Sequence, residues 1–268
     1  MKTAKRARYP SDVSDAAWRI LWPLVPAPKP GGRPATYARR EILNAILYLT
    51  RNGCSWRALP HDFPPWPTGY HYFQPWRDDG TWQQILDTLR RKVRRSSVRR
   101  EQPSAAIVDS QSVKVTDQGG AVGYDAGKHI KGRKRHILVD TLGVLLLVSV
   151  TAASTSDAAG GRQVLEAARG RLPRLRLIWA DRAYRGQFVT WAWNCCRWVV
   201  HTVGSAMKQT HFVVQPRRWV VERTFGWLHR YRRLSKDYET LPTGSEALIK
   251  IAMINLLVKR VAAHRSYY

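Results

Sequence analysis

Acidic residues are scarce in this chain: 19 Asp and Glu stand against 45 Lys and Arg, for a formal charge of +26 and a sequence pI near 10.8. So large an excess disfavours basic partners and points to a polyanion. It is not confined to one tail, because the first hundred residues hold 19 basic against 7 acidic residues and the remainder 26 against 12. Cysteine is also rare. Cys54, Cys195 and Cys196 offer neither a disulfide framework nor paired zinc-ligand spacing, and read as reduced, packed thiols. Long apolar runs are missing: the longest, 142–153, contains Gly143, Ser149 and Thr151, is too short to cross a bilayer, and reads as a buried strand. No charged segment followed by an apolar stretch and a small-residue cleavage site opens the chain, so the cytoplasm is the expected compartment and a membrane is not an expected partner. There is no internal repeat.

A hydrophobic content of 44% in 268 residues is ample for a core. The N-terminal third reads as helices. Trp18, Leu21, Trp22 and Val25 follow helical spacing behind Ser14 as N-cap, and Pro26, Pro28, Pro30, Gly31 and Gly32 then break the chain. Ile42, Ala45, Ile46 and Leu49 share a second stripe that stops at Asn52-Gly53, before a short turn over Trp56 to Leu59. The stretch 67–76 could hold a recognition helix, although Gly69 and Pro75 argue against a long one. Thr81 with Gln84 forms a capping-box pattern ahead of Trp82, Ile85, Leu86, Leu89 and Val93. This outline suits a helix-turn-helix-like region over 1–100, with the ordinary helical bundle as the alternative. Trp56, Trp66, Trp76 and Tyr72 are expected in its core.

Beyond residue 100 strands and helices alternate. Strands are expected over 105–115, 135–140, 145–151, 176–180 and 198–203, and helices over 157–169, 187–195 and 217–231. A final helix is expected to open with a capping box of Thr243 and Glu246 and to bury Ile249, Ala252, Met253, Leu256 and Leu257. The order predicts a mixed sheet flanked by helices over 101–268.

Two aspartates each end an apolar strand-like run, Asp109 after 105–108 and Asp181 after 175–180, with Glu222 on a later helix. Carboxylates beside buried strand backbone are costly unless compensated, and a bound divalent cation would compensate three that converge. They are expected to approach closely enough to share metal ions. Asp140 sits in a hairpin turn that explains it more simply, and Asp117, Asp125 and Asp157 look like loop or capping residues. Arg218, four residues before Glu222, is either its salt-bridge partner or a phosphate contact. The run Lys128, Lys131, Arg133, Lys134 and Arg135 is expected to hold DNA backbone near Asp109, the alternative being a solvated loop. Trp191, Trp193 and Trp198 are expected in the core. Ser110 and Ser112 could suggest a serine nucleophile, but neighbouring strand residues face opposite ways and the carboxylates account for the site better.

Four ordered blocks carry a resemblance: Asp109-Ser110-Gln111-Ser112-Val113-Lys114; Lys131-Gly132-Arg133-Lys134-Arg135-His136-Ile137-Leu138-Val139-Asp140-Thr141; Asp181-Arg182-Ala183-Tyr184-Arg185-Gly186; and Arg218-Trp219-Val220-Val221-Glu222-Arg223-Thr224-Phe225-Gly226-Trp227-Leu228. Together with the stretch 232–239, they resemble bacterial insertion-sequence DDE transposases of the IS-five superfamily. The stretch 39–62 resembles the helical DNA-binding region that precedes the catalytic domain in that group. The resemblance implies an RNase H-like core, with Asp109, Asp181 and Glu222 as the DDE triad. It further implies two Mg²⁺ or Mn²⁺ ions, and cleavage at terminal inverted repeats followed by strand transfer into target DNA.

Implied DNA contacts are Arg39, Arg40, Arg57, Lys114, Lys131, Arg133, Lys134, Arg135, Arg218, His229, Arg230 and Arg232. Gln215 and His229 depart from the Tyr and Lys of the family's Tyr-Arg-Glu-Lys signature. A homodimer or higher oligomer on DNA, in a bacterial cytoplasm and associated with the nucleoid, is the expected working form. A DNA-binding repressor would not need the carboxylates, and a nuclease or resolvase would cut without joining.

Overall fold

Ala105–Lys114 (β1) is the strand around which the sheet is built. On one side it pairs antiparallel with Ile130–Asp140 (β3), from Ala106–Asp140 to Lys114–Gly132. On the other it pairs parallel with Leu177–Ala180 (β5) through Ala105–Leu177, Ala106–Ile178 and Ile107–Trp179. Along its far edge β3 carries Gly123–Asp125 (β2) on residues 130–132 and Leu145–Ala152 (β4) on residues 133–139; Val199–Thr202 (β6) runs parallel beyond β5. The β3–β4 hairpin turns at Asp140, whose Oδ1 accepts the N–H groups of Leu142 and Val144. That confirms the turn role read for this carboxylate.

The computed structural model describes residues 6–27, 35–116, 119–203 and 218–264. The chain divides into two compact units. One comprises Met1–Ser97, Arg230–Leu234 and Ala247–Tyr268, and the other Val98–His229 and Ser235–Glu246. Most of the C-terminal helix groups with the N-terminal unit rather than with the sheet.

In the sheet unit, Asp157–Ala168 (α5) starts at Ser156, whose side chain accepts the Ala159 N–H, and its Val164, Leu165 and Ala168 join Ala106, Val108, Leu138 and Ile178 in one core. Gln187–Cys196 (α6) adds Phe188 and Ala192 to it. Arg218–His229 (α7) belongs to this unit as well. The alternation of β1 sends Ala106, Val108, Ser110 and Ser112 to the α5 face, and Ile107, Asp109, Gln111 and Val113 to the other. Trp198 is buried and Trp191 packs against the α5 core, but Trp193 departs from the core expectation: it is half exposed, with Arg197 over its ring at 5.8 Å.

In the helical unit, Asp15–Leu21 (α1) has the expected Ser14 cap, accepting from Ala17 N–H. Arg39–Asn52 (α2) ends at Gly53, which has φ +81° and donates to the Leu49 carbonyl; only glycine adopts that conformation without strain. Three helices differ from expectation. Trp66–Asp78 (α3) runs 13 residues despite Gly69 and Pro75, with Pro67 in its first turn. Thr81–Ser96 (α4) is capped by Gly80 without a side-chain bond, and it is Asp79 that accepts the Thr81 N–H, so no Thr81–Gln84 capping box forms.

The same holds for Pro242–His264 (α8): Thr243 lies inside the helix, and Glu246 accepts the Val150 N–H instead. Trp76 is buried and Trp56 lies half-buried, edge-on to Tyr70 at 5.3 Å. Arg51 donates to the Arg230 carbonyl at 2.7 Å, and Arg233 to that of Cys54 at 3.1 Å, which ties 230–234 to the end of α2.

Candidate active site

Register brings the first two carboxylates together. The β1–β5 ladder ends at Ile107–Trp179, and Asp109 and Asp181 each lie two residues beyond that pair: Asp109 in the middle of β1, which continues to Lys114 against β3 alone, and Asp181 just past the end of β5. Both line one small cavity with Ile107, Ala180 and Val221, the residue before Glu222 on α7. Asp109 Oδ1 accepts the Ser110 N–H at 2.7 Å. Asp181 Oδ1 accepts the Ala183 N–H at 2.8 Å, capping the short turn Arg182–Tyr184.

The third carboxylate is not drawn in to the same degree. Glu222 is exposed on α7, and among the described residues no group of three His, Cys, Asp or Glu side chains forms a ready-made metal cluster. Asp109 and Asp181 form a pair in register, and Glu222 follows Val221 on the helix that lines the same cavity. The donor set is all hard oxygen, which suits Mg²⁺ or Mn²⁺ rather than zinc. Tyr184 reports the electrostatics. Burial, then the fields of Asp109, Asp157 and Asp181, hold its hydroxyl well above the usual phenol range. The surroundings of Tyr184 are thus acidic inside a strongly basic protein.

The basic run before β3 behaves differently from expectation. Arg133, Lys134 and Arg135 are 0%, 5% and 1% exposed, and they offer no surface to a phosphate. Alternation along β3 would send half of these side chains inward, and the network of buried acceptors takes the rest. Arg133 donates to the carbonyls of Ala121, Glu239 and Thr240 and pairs with Asp237. Arg135 donates to the Lys236 carbonyl, and burial lowers its pKa to about 10. Lys134 bridges Asp125 and Asp157. Neither the DNA-contact reading nor the solvated-loop alternative survives for these three; Lys128 and Lys131 of the run are exposed, as is Lys114 on β1.

Other expected DNA contacts are mixed. Arg39 donates to the carbonyls of Val25 and Pro26 and stacks over Trp22 at 4.0 Å, and Arg40 bonds the Val13 carbonyl and Asp15, so both serve the helical unit itself. Arg57, Arg230 and Arg232 are exposed. His229 Nε2 lies 3.1 Å from Gln111 Nε2, and burial, then Arg135, lower its pKa. Gln215, Arg217, Asp117 and the side chain of Arg218 lie outside the described residues.

Sequence reasoning missed Asp125, Asp157 and Lys134 as a cluster. The available signal was the hairpin itself, since a turn between Asp125 and Ile130 places Asp125 near the start of the next strand.

The sheet unit is thus a mixed α/β domain with a carboxylate pair beyond the end of the β1–β5 ladder. Residues 100–257 match the family described as Transposase DDE domain, and residues 13–86 match Putative transposase of IS4/5 family. The chain belongs to the insertion-sequence DDE transposases. It is 29% identical over 119 residues to an uncharacterized 16.2 kDa protein of insertion element IS402 of Burkholderia cepacia, covering 41% of this chain and 78% of that one. It is 30% identical over 127 residues to a putative transposase for the same element and organism, covering 45% of this chain and 60% of the relative. No solved structure matches. Among the described residues no helix is long and apolar enough to cross a membrane.

Proposed function

We propose that this transposase binds the terminal inverted repeats of an insertion sequence, cuts there, and joins the freed ends to target DNA, with Asp109, Asp181 and Glu222 as the DDE triad. The observation that carries the reading is the registered placement of Asp109 and Asp181 within a family-matched domain. The strand order supports an RNase H-like description: β4, β3 and β1 are antiparallel, and β5 and β6 continue in parallel.

Asp109 and Asp181 would hold a pair of Mg²⁺ or Mn²⁺ ions, with Glu222 closing the set from α7. Such ions activate a water or a DNA 3′-hydroxyl and stabilise the leaving oxygen at phosphorus. Lys131 and Lys114, exposed on β3 and β1, would position phosphates. Ser110 is not a nucleophile in this reading, because its hydroxyl donates to Asp157 at 2.6 Å on the α5 face, away from Asp109. The helical unit would recognise the ends, with α3 as the candidate for groove contact in a helix-turn-helix-like arrangement. Two ends processed together require at least a dimer on DNA, working on the nucleoid in the cytoplasm.

The test is a reaction of the full chain with end DNA and Mn²⁺. Wild type should cleave at the element's end and insert a precut end into a second duplex. Asp109→Asn and Asp181→Asn should lose both steps while end binding stays within about threefold, because phosphate contacts come mainly from Lys and Arg. Binding lost in step with cutting would make the carboxylates structural. Cutting without joining would favour a nuclease.

A further inference from the structure

Behind Asp109, on the α5 face of the sheet, lies a charged cluster that the reaction does not use. Lys134 Nζ lies 3.2 Å from Asp125 Oδ2 and 3.0 Å from Asp157 Oδ1. Ser112 Oγ donates to Asp125 at 2.5 Å, and Ser110 Oγ donates to Asp157 at 2.6 Å. Three strands and the first turn of α5 meet there. The Lys134 and Asp125 side chains are only 7% and 10% exposed. Placing two carboxylates and one ammonium in so sheltered a position is a poor route to stability, since apolar side chains of similar volume commonly serve as well or better. What the cluster adds is directional: each group has a defined partner.

Ser110 joins this cluster to the candidate site. Its hydroxyl is committed to Asp157, while its backbone N–H donates to Asp109 Oδ1 at 2.7 Å. The β1–β5 ladder has already ended at Ile107–Trp179, so on that side strand pairing no longer holds this peptide. The orientation of the Ser110 N–H, and with it the Asp109 carboxylate, then depends on β3 and on the Asp157 anchor. Carboxylate ligands are commonly tuned by the groups that hydrogen-bond to them.

We propose that Ser110, Asp157 and Lys134 are positioning residues that orient the Asp109 carboxylate and so set the affinity of the Asp109–Asp181 pair for a divalent cation. The inference rests on the reading of those two aspartates as cation ligands.

The experiment is Mn²⁺ titration of the full chain without DNA, by calorimetry and by the electron paramagnetic resonance of free Mn²⁺, alongside a melting curve of each metal-free variant. Ser110→Ala keeps the backbone N–H and removes the hydroxyl that anchors it to Asp157, and should weaken Mn²⁺ binding by about tenfold with an unchanged metal-free melting temperature. Asp157→Asn should do the same. Ser112→Ala cuts the other arm, three residues away from Asp109, and should leave Mn²⁺ affinity intact. Lys134→Met would leave two sheltered carboxylates without their cation and is expected to misfold, so the serine variants decide.

Unchanged affinity in Ser110→Ala overturns the inference, as does an equal loss in Ser112→Ala that tracks a lower melting temperature. Asp109→Asn separates the two levels. If it retains Mn²⁺ affinity, the ligand reading fails and the inference falls with it; if it loses Mn²⁺ while Ser110→Ala does not, only the positioning role is refuted.

Discussion

Arg133 and Asp237, 104 positions apart, meet as a sealed ion pair at 3.2 Å, with side chains 0% and 1% exposed. Ser245 Oγ donates to both Asp237 oxygens at 2.7 Å, and Asp237 Oδ1 also accepts the Glu239 N–H. The pair thereby secures 235–246 within the sheet unit. Removing one partner strands a buried charge, so Arg133→Met should destabilise the protein by about 3–5 kcal/mol in urea unfolding. The double variant Arg133→Met, Asp237→Asn should recover part of that loss. A single variant as stable as wild type would show that the pair contributes nothing.

Surface charge should behave quite differently. Lys131 and Lys114 are exposed, and alanine at either should leave the melting temperature in place. Each should instead reduce the slope of log affinity for DNA against log salt by roughly 0.9 if it neutralises one phosphate. An unchanged slope in the double variant would remove both lysines from the DNA interface.

His136 makes stability depend on pH. Burial first, then the positive charge of Lys134 and Lys128, lower its pKa from 6.5 to about 4, while Asp157 acts in the opposite direction. Between those values the folded chain binds fewer protons than the unfolded chain, so stability falls as pH is lowered through that window. The whole effect is on the order of 3 kcal/mol. His136→Gln should flatten the stability profile over this range. Below it, Asp125 takes over. Burial works to raise its pKa, but the hydrogen bonds from Ser112 and Lys134 outweigh that and bring it to about 2. Its contribution is present above its ordinary 3.8 and lost as pH falls toward 2. A profile that keeps its wild-type slope in His136→Gln would place the titration elsewhere.

The helical unit draws on distant sequence. Residues 1–97 lack 230–234 and the part of α8 from Ala247 onward, both of which belong to the same unit. Expressed alone, 1–97 should show no cooperative thermal transition, and a version with 247–268 fused through a flexible linker should regain one. A cooperative melt of the short fragment would show that the N-terminal helices suffice.

Much of this architecture follows from local pattern. The apolar runs ahead of them marked Asp109 and Asp181, although β1 continues past Asp109 to Lys114, and turn chemistry explained Asp140. Helical periodicity found α2 and α4, and the ordered blocks were enough to indicate the family. These are features whose physics acts within a few residues. Capping at Thr81 and Thr243 was misjudged even though it is local, because in both places competing acceptors and helix extension decided the ends.

What only the tertiary structure decided is where charge goes. The run 131–135 reads as a basic patch, yet Arg133, Lys134 and Arg135 are buried, because Asp237, Asp125, Asp157 and the carbonyls of 119–121 and 236–240 arrive from elsewhere to receive them. A charged side chain is as polar in the core as on the surface; its partners determine which site it can occupy, and those partners are set by folding over more than a hundred residues.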